Sequence, residues 1–230
     1  MSEDLTFNEE MATEYDKGVR RTLPTYDGLF RLTKAFLQNH LSDHDRLLVV
    51  GGGGGNELTA FSANHLEWRF TIVDPSEAML SIAKSKAERL GITERTEFIA
   101  GTVSDLTAEN KYDGATCLLV LHFISEQSKK IDLLKKIRAS LPAGAPFVLA
   151  TMYGDENDAS FQDLFNLWKA YWIDSTKLTE AEVEEMESSV RSLSFLPANE
   201  IEALLKETGF HRITQFFQTN MFGAWICFAE

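Results

Sequence analysis

The pattern of apolar and polar positions between residues 29 and 152 alternates between two kinds of segment. Short apolar runs bounded by turn residues alternate with longer stretches in which apolar residues recur at helical spacing. Strands that are apolar on both faces are typical of a parallel sheet covered by helices on each side. The pattern therefore predicts an α/β, doubly wound, Rossmann-like sheet. Its strands are predicted at Arg46–Val50, Arg69–Val73, Thr96–Ile99, Gly114–Leu121 and Phe147–Met152.

Helices are predicted between these strands. Ser76 is an N-cap type of residue and Gly91 a C-terminal stop, so one helix should cover Ser76–Leu90. Two others are predicted at Asn56–Asn64 and Glu126–Leu141.

The pattern changes after residue 152. Residues 153–208 contain no convincing strand, and "LTEAEVEEMESSVRSL" offers Thr179 and Glu182 as a capping box. "PANEIEALLKETGF" is predicted to be another helix, closed by Gly209. Two terminal strands, joined by a turn at Thr219-Asn220, are predicted at Arg212–Gln218 and Phe222–Phe228.

These elements predict a single domain. We divide it into an N-terminal helical cap (residues 1–40), a cofactor-binding half (41–152), a helical lid insert (153–195) and a terminal helix with a β hairpin (196–230).

Composition and charge narrow the class of protein. The net charge of −13 argues against partners with a phosphate backbone or an anionic membrane surface. No apolar stretch approaches the roughly 20 residues needed to span a bilayer. Cys117 and Cys227 form no metal-ligand pattern, and buried, reduced thiols in a cytoplasmic protein are the simpler interpretation. We expect no metal site, no direct nucleic-acid partner and no membrane partner; the oligomeric state stays open, a homodimer included.

The stretch "LLVVGGGGGNELTAF" places five glycines between the first strand and the first helix of the sheet. A turn of this kind lets a ligand approach backbone N–H groups at the carboxyl ends of the strands. The dinucleotide fingerprint GxGxxG fails, because Asn56 stands where a third Gly or Ala belongs. The loop is also not followed by the GK[ST] sequence of a Walker A phosphate-binding loop. It therefore favours a nucleoside cofactor without a phosphate chain.

The second strand supports this interpretation. It ends in Asp74, 23 residues after Gly51, where a carboxylate can accept hydrogen bonds from both ribose hydroxyls. A role in stabilising the N-terminus of the next helix is the alternative, and the two roles are compatible.

Together these motifs resemble the class I S-adenosylmethionine (SAM) dependent methyltransferases. The loop, "VDPSEAML", "AGTVSDL", "YDGATCLLVLHFI" and "LPAGAPFVLATM" occur in that family's order and spacing. The family fold is a seven-stranded sheet that ends in an antiparallel pair. The two flanks, "FNEEMATEYDKGVRRTLPTYDGLF" and "FFQTNMFGAWICFAE", are similar to the ends of bacterial carboxy-SAM synthases, which serve wobble-uridine modification in tRNA.

The resemblance implies SAM as cofactor, S-adenosylhomocysteine as product and a set of cofactor-binding residues. The glycine loop would line the methionine end, Asp74 the ribose, and Thr102 with Val103 the adenine. Tyr26 would reach the methionine carboxylate, although a role as a core tyrosine is an equal alternative. The full set is Tyr26, Gly51, Gly52, Gly53, Gly55, Asp74, Pro75, Met79, Thr102, Val103 and Leu118.

The chain departs from the family at several places. Val49 stands where an acidic residue is usual, Thr102 where an Asp is common, and Leu118 where the synthases have a polar residue. The synthases also supply an arginine from the insert to bind the extra carboxylate of carboxy-SAM. Here that stretch reads "NLWKAYWIDST", in which Lys169 is the nearest cation. We therefore expect ordinary SAM as the cofactor.

Methyl transfer from a sulfonium needs mainly alignment, so no catalytic triad is required. His122, just after the fourth strand, is the best candidate for a general base, with a structural role as the alternative. Aromatic residues that could line an acceptor pocket, or belong to the core, are Tyr15, Tyr153, Trp168, Tyr171 and Trp172. Three functions remain open: a small-molecule methyltransferase, which we favour, a carboxy-SAM synthase-like enzyme, and a non-catalytic SAM-binding protein.

Overall fold

The computed structural model of the chain describes residues 18–21, 23–62, 67–107 and 111–230. The strands are β1 (Arg46–Val50), β2 (Arg69–Asp74), β3 (Thr96–Ala100), β4 (Gly114–Leu118), β5 (Pro146–Met152), β6 (Phe210–Thr219) and β7 (Phe222–Ala229). The helices are α1 (Tyr26–Gln38), α2 (Asn56–Phe61), α3 (Glu77–Leu90), α4 (Gln127–Ala139), α5 (Ala159–Ser175), α6 (Glu180–Arg191) and α7 (Ala198–Glu207).

The strands form one seven-stranded sheet in the order β3-β2-β1-β4-β5-β7-β6. The first five strands are parallel, and β7 runs antiparallel to both β5 and β6. The turn of the terminal hairpin contains Asn220 with φ of 52°, a conformation that Asn tolerates better than most residues. The predicted doubly wound sheet with a terminal antiparallel pair is confirmed.

Helices cover both faces of the sheet. The alternating side chains of β1 point to opposite sides, so Val49 joins one apolar cluster and Val50 the other. The first cluster includes side chains of α1, α2, α3 and α5, and the second includes side chains of α4 and α7. Strands β1, β4 and β5 are buried almost throughout, which is why their sequences show no polar alternation.

The predicted helix caps are present. The Ser76 hydroxyl accepts a hydrogen bond from the backbone N–H of Met79 at 3.2 Å, and Gly91 ends α3 in the left-handed conformation. Thr179 and Glu182 form the capping box at the start of α6. The sequence therefore determines these boundaries locally.

The end of the fourth strand differs from the sequence prediction. Strand β4 ends at Leu118 and not at Leu121, because Leu119 takes φ of 61° and a 3₁₀ turn follows at Leu121–Phe123. Helix α5 lies in the predicted helical insert, for which the sequence prediction gives no bounds here, and Asp158 caps it by accepting a hydrogen bond from the Ser160 N–H. The predicted end of the first helix at Asn64 lies outside the described residues.

Cys117 and Cys227 are both buried and free. Within the ranges that the structure describes, no helix has the length and apolar character needed to cross a membrane.

Candidate functional site

A cleft of about 380 Å³ opens at the carboxyl ends of β1, β2, β3 and β4. This volume lies within the range of about 300–1,000 Å³ that is typical of small-molecule sites. The location is the one at which open α/β sheets bind ligands. Six of the residues predicted to bind the cofactor line it, namely Gly51, Asp74, Pro75, Met79, Thr102 and Val103.

Asp74 is the buried acidic group of the cleft, with 7% of its surface exposed. Its carboxylate accepts hydrogen bonds from the backbone N–H of Gly53 at 3.0 Å and of Ser76 at 2.8 Å. Burial raises the pKa of this carboxyl, and the two backbone hydrogen bonds oppose that rise. The two bonds fix the carboxylate in orientation, while each oxygen keeps acceptor capacity for a ligand hydroxyl.

The glycine loop leaves room where side chains would close the site. A Cβ on Gly53 would lie 2.5 Å from the Cβ of Met79 and 2.6 Å from an oxygen of Asp74. Gly51 and Gly55 have φ of 70° and 64°, which disfavours any residue with a side chain. The loop therefore brings backbone N–H groups close to Asp74, and these residues fit a nucleoside that carries a ribose.

Five residues predicted to bind the cofactor are not among those that line this cleft: Tyr26, Gly52, Gly53, Gly55 and Leu118. Gly52 lies directly over Val49, since a Cβ there would be 2.4 Å from a methyl group of Val49. Gly55 is the N-cap residue of α2. Their part in binding a cofactor stays a prediction.

Sequence reasoning missed the apolar wall of the cleft. Leu119, Val120, Phe123, Ile124 and Leu133 line it from the turn after β4 and from α4. The run "LVLHFI" was the available signal, but the predicted fourth strand, Gly114–Leu121, includes its first three residues. Leu119, with φ of 61°, directly follows β4, and the turn that comes next carries the lining residues Val120, Phe123 and Ile124.

His122 belongs to this turn and is buried, with 4% of its surface exposed. Its Nδ1 accepts a hydrogen bond from the backbone N–H of Met152 at 3.2 Å and lies 3.0 Å from the hydroxyl of Thr151. Burial, followed by the charge of Lys130, lowers the pKa of His122 to about 3. Such an imidazole is a weak base whose Nδ1 is already engaged, so the geometry favours the structural alternative, and the catalytic role stays a prediction.

Hydrogen bonds of Lys130 connect helix α4, and with it the turn that contains His122, to the end of the insert. Its ammonium donates hydrogen bonds to the hydroxyl of Ser194 at 2.8 Å and to the Ser194 carbonyl at 3.1 Å. The Ser194 N–H in turn donates to the His122 carbonyl at 2.9 Å. Burial lowers the pKa of Lys130 to about 8. The end of the insert is thus anchored at the edge of the site.

The insert presents two basic side chains that share one carboxylate. Lys169 contacts Glu187 at 2.7 Å, and Arg191 contacts the other oxygen of Glu187 at 2.8 Å. Arg191 also donates to Gln162 at 3.0 Å, and its guanidinium lies 4.1 Å from the ring centre of Phe165. Lys169, the cation nearest to the position at which the synthases supply an arginine, is therefore paired with a carboxylate on the neighbouring helix α6.

The aromatic residues named from the sequence as possible lining of an acceptor pocket lie in different surroundings. Trp168 and Trp172 are buried in the core cluster beside α1, whereas Tyr171 is only partly buried. Tyr153 contacts Trp225 edge to face. Tyr15 lies outside the described residues. Among the described residues, no group of three or more His, Cys, Asp or Glu is placed to hold a metal ion.

Comparison with known proteins finds one matching family model and similar proteins of nearly the same extent. Residues 47–144 match a family model described as a methyltransferase domain. The chain is similar to the carboxy-S-adenosyl-L-methionine synthase of Nautilia profundicola, with 26% identity over 96% of this chain and 93% of that protein. The corresponding synthase of Desulfotalea psychrophila is 23% identical over 98% of this chain and 92% of its own length.

Solved structures share the fold at lower identity. One is the 1,6-didemethyltoxoflavin-N1-methyltransferase of Burkholderia thailandensis, solved with S-adenosylhomocysteine. It has a TM-score of 0.62 and 19% identity, and the match covers 96% of this chain and 85% of that one. PigF with S-adenosylhomocysteine has a TM-score of 0.67 and 16% identity, over 96% and 59% of the two chains. The [4+2]-cyclase SpnF, at a TM-score of 0.61 and 14% identity over 86% and 79%, also has this fold.

Proposed function

We propose that this chain, which belongs to the class I SAM-dependent methyltransferase family, transfers a methyl group from SAM to a small-molecule acceptor. The observation that carries the proposal is the placement of the Asp74 carboxylate, at the end of β2, against the N–H groups of Gly53 and Ser76. That arrangement leaves a buried carboxylate in a fixed orientation, ready to accept hydrogen bonds from a ligand. The glycine loop of the same cleft has neither of the two phosphate-binding motifs, GxGxxG or GK[ST].

Each part of the cleft has a physical role in this proposal. Asp74 would accept hydrogen bonds from the two ribose hydroxyls, and Thr102 and Val103 would flank the adenine. The apolar wall formed by Leu119 and Val120 would exclude water from the base. Gly51 would leave space for the methionine chain to pass along the backbone.

When bound, SAM supplies a methyl group on a sulfonium, and its transfer is an in-line displacement that depends on alignment. The residues of the chain bind and orient the reactants and exclude water. Since His122 is held by Met152 and has a low pKa, a general base is not part of the proposal.

A small-molecule acceptor is supported by two observations. The toxoflavin-precursor methyltransferase is named for a small-molecule substrate, and its fold extends over nearly the whole of this chain. The charge of −13 would repel a nucleic acid. Two buried free cysteines fit the reducing cytoplasm, which is where we place the protein.

A carboxy-SAM synthase-like enzyme is the second candidate, favoured by the near full-length similarity to the synthases. A transferred carboxylate would need a buried cation. Two of the three cations of the insert, Lys169 and Arg191, are instead both paired with Glu187, and the third, Lys177, is exposed, so we favour methyl transfer.

Mass spectrometry separates these candidates. We expect SAM or S-adenosylhomocysteine in the extract of the purified protein, and no carboxy-SAM after incubation with SAM and prephenate. Carboxy-SAM in either sample would make the second candidate the function.

Calorimetry tests the nucleoside site itself. Two hydrogen bonds to a charged acceptor are worth about 1.5–3 kcal/mol each, so Asp74→Ala should weaken S-adenosylhomocysteine binding by at least about 100-fold. Asp113→Ala is the matched control, because Asp113 accepts a backbone N–H bond from Arg46 at 2.8 Å at the opposite end of the sheet. Tighter binding of NAD than of SAM would contradict the proposal.

A further inference from the structure

Helix α6 is the less buried of the two helices of the insert. Val183 is its one buried residue, whereas α5 buries four aromatic side chains. The ion pair between Lys169 and Glu187 joins α6 to α5. The position of α6 therefore depends strongly on the polar contacts just beyond its end.

These contacts converge on Ser194, in the connection between α6 and α7 (residues 192–196). The Ser194 N–H donates a hydrogen bond to the His122 carbonyl at 2.9 Å. The hydroxyl and the carbonyl of Ser194 both accept from the Lys130 ammonium, at 2.8 Å and 3.1 Å. Ser194 is thus bonded to two elements at once, the turn after β4 and helix α4.

Lys130 is a buried cation whose described partners carry no charge. Among the residues that the structure describes, the acceptors of its ammonium are the two oxygens of Ser194. Burying an ammonium without a carboxylate is costly. An apolar side chain of similar size at such a position is often neutral or favourable for stability. Overall stability therefore does not account for this lysine, and its role lies in what it holds.

Both elements that bind Ser194 also form the wall of the cleft. Val120 and Phe123 line the cleft from the turn, and Leu133 lines it from α4. Lys130 lies on the buried face of the same helix. A ligand that packs against this wall restricts the turn and α4 together. It therefore favours the arrangement in which both of them reach Ser194.

Resting on the proposed function, we propose that Lys130 is a positioning residue that couples occupancy of the cleft to the attachment of α6. With a ligand in the cleft, α4 and the turn are held in place, and Lys130 and the His122 carbonyl hold Ser194. In the free protein these bonds open more often, and α6 is released with them. The coupling is reciprocal, because a ligand that stabilises the bonds to Ser194 binds more tightly when those bonds can form.

Hydrogen exchange with and without saturating S-adenosylhomocysteine tests this coupling in Lys130→Met. Methionine keeps the apolar stem of the lysine and removes the donor. In the free variant, α6 and residues 192–196 should exchange about 10-fold faster or more, the effect of losing a hydrogen bond with a charged donor. Helix α5 and strand β1 should exchange as in the wild type, which shows that the variant is folded. The protection of α6 by S-adenosylhomocysteine should fall by at least about fivefold.

Calorimetry measures the reciprocal effect. Lys130→Met should bind S-adenosylhomocysteine at least about fivefold more weakly, although Lys130 is not among the residues that line the cleft. Ser194→Ala, which removes the hydroxyl acceptor and keeps the carbonyl, should change exchange and affinity in the same direction by a smaller factor. This second variant makes the comparison without a change in the core.

The matched control is Lys135→Met. Lys135 is an exposed lysine on the same helix, so this variant makes the same chemical change without touching Ser194. Its exchange and its affinity for S-adenosylhomocysteine should equal those of the wild type.

Two outcomes would overturn the inference and leave the proposed function standing. Equal exchange of α6 in the free wild type and in free Lys130→Met would mean that Lys130 does not hold this helix. Faster exchange, with undiminished protection by S-adenosylhomocysteine and unchanged affinity, would mean that Lys130 is an anchor without a link to the cleft. If the wild-type protein does not bind S-adenosylhomocysteine, the proposed function itself fails, and the coupling fails with it.

Discussion

Acidification should lower the free energy of unfolding of this protein through His122. The size of the loss follows from the surroundings of the imidazole. The side chain is 4% exposed, and Nδ1 accepts the N–H of Met152. A proton on Nδ1 would point at the Met152 N–H and remove the hydrogen bond, and the positive charge of Lys130 would repel the charged imidazolium. The folded state therefore holds the imidazole neutral, with a pKa of about 3.

The sign and size of the effect follow from the two pKa values. The folded pKa of His122, about 3, is lower than the value of about 6.5 expected in the unfolded chain. The contribution to stability is therefore complete above pH 6.5 and is lost as the pH falls toward 3. With about 1.4 kcal/mol per pH unit, the free energy of unfolding should fall by about 2 kcal/mol between pH 7 and pH 5 from this group alone.

Urea unfolding at both pH values, for the wild type and for His122→Gln, measures this contribution. Glutamine cannot titrate, so the variant should lose about 2 kcal/mol less than the wild type over the interval, whatever its stability at pH 7. His44→Asn is the control: His44 is exposed and has φ of 70°, which Asn tolerates, so this variant should keep the wild-type slope.

Equal pH slopes for the wild type and His122→Gln would refute this account of the buried imidazole. The same variant tests the catalytic role predicted from the sequence. Once the methyl acceptor is identified, a loss of turnover in His122→Gln with unchanged affinity for S-adenosylhomocysteine would support that role.

Two further predictions concern the loop and the insert. Gly53→Ala should lower the free energy of unfolding by about 1–3 kcal/mol and weaken S-adenosylhomocysteine binding, because the new methyl group would lie 2.5 Å from Met79. Thermal unfolding and calorimetry measure these two effects. Gly28→Ala is the control for both, because a Cβ at that position meets no atom within 4 Å. In hydrogen exchange, α6 should exchange faster than β1, because Val183 is its only buried residue, and S-adenosylhomocysteine should slow it if the insert is a lid. Exchange of α6 as slow as that of β1 in the free protein would make the insert part of the core.

The sequence alone determined those features that depend on local chemistry. The apolar runs predicted every strand of the sheet to within a few residues. For β1, β4 and β5 the reason is that strands buried on both faces admit few polar residues. Ser76 and Thr179 located their helices because a cap is completed by residues only three positions away. Asp74 and the glycine loop were predicted together because each follows a strand whose end lies at the same edge of the sheet.

The tertiary structure decided what depends on contacts between distant segments. The turn at Leu119 is held in part by a hydrogen bond from its N–H to the Ala150 carbonyl on β5, at 2.7 Å, so no local pattern marks the end of β4. The N–H of Met152, thirty residues later, donates to the Nδ1 of His122, a contact that no local pattern predicts. Burial and long-range hydrogen bonding set the pKa of a side chain, and neither is visible in the order of the residues.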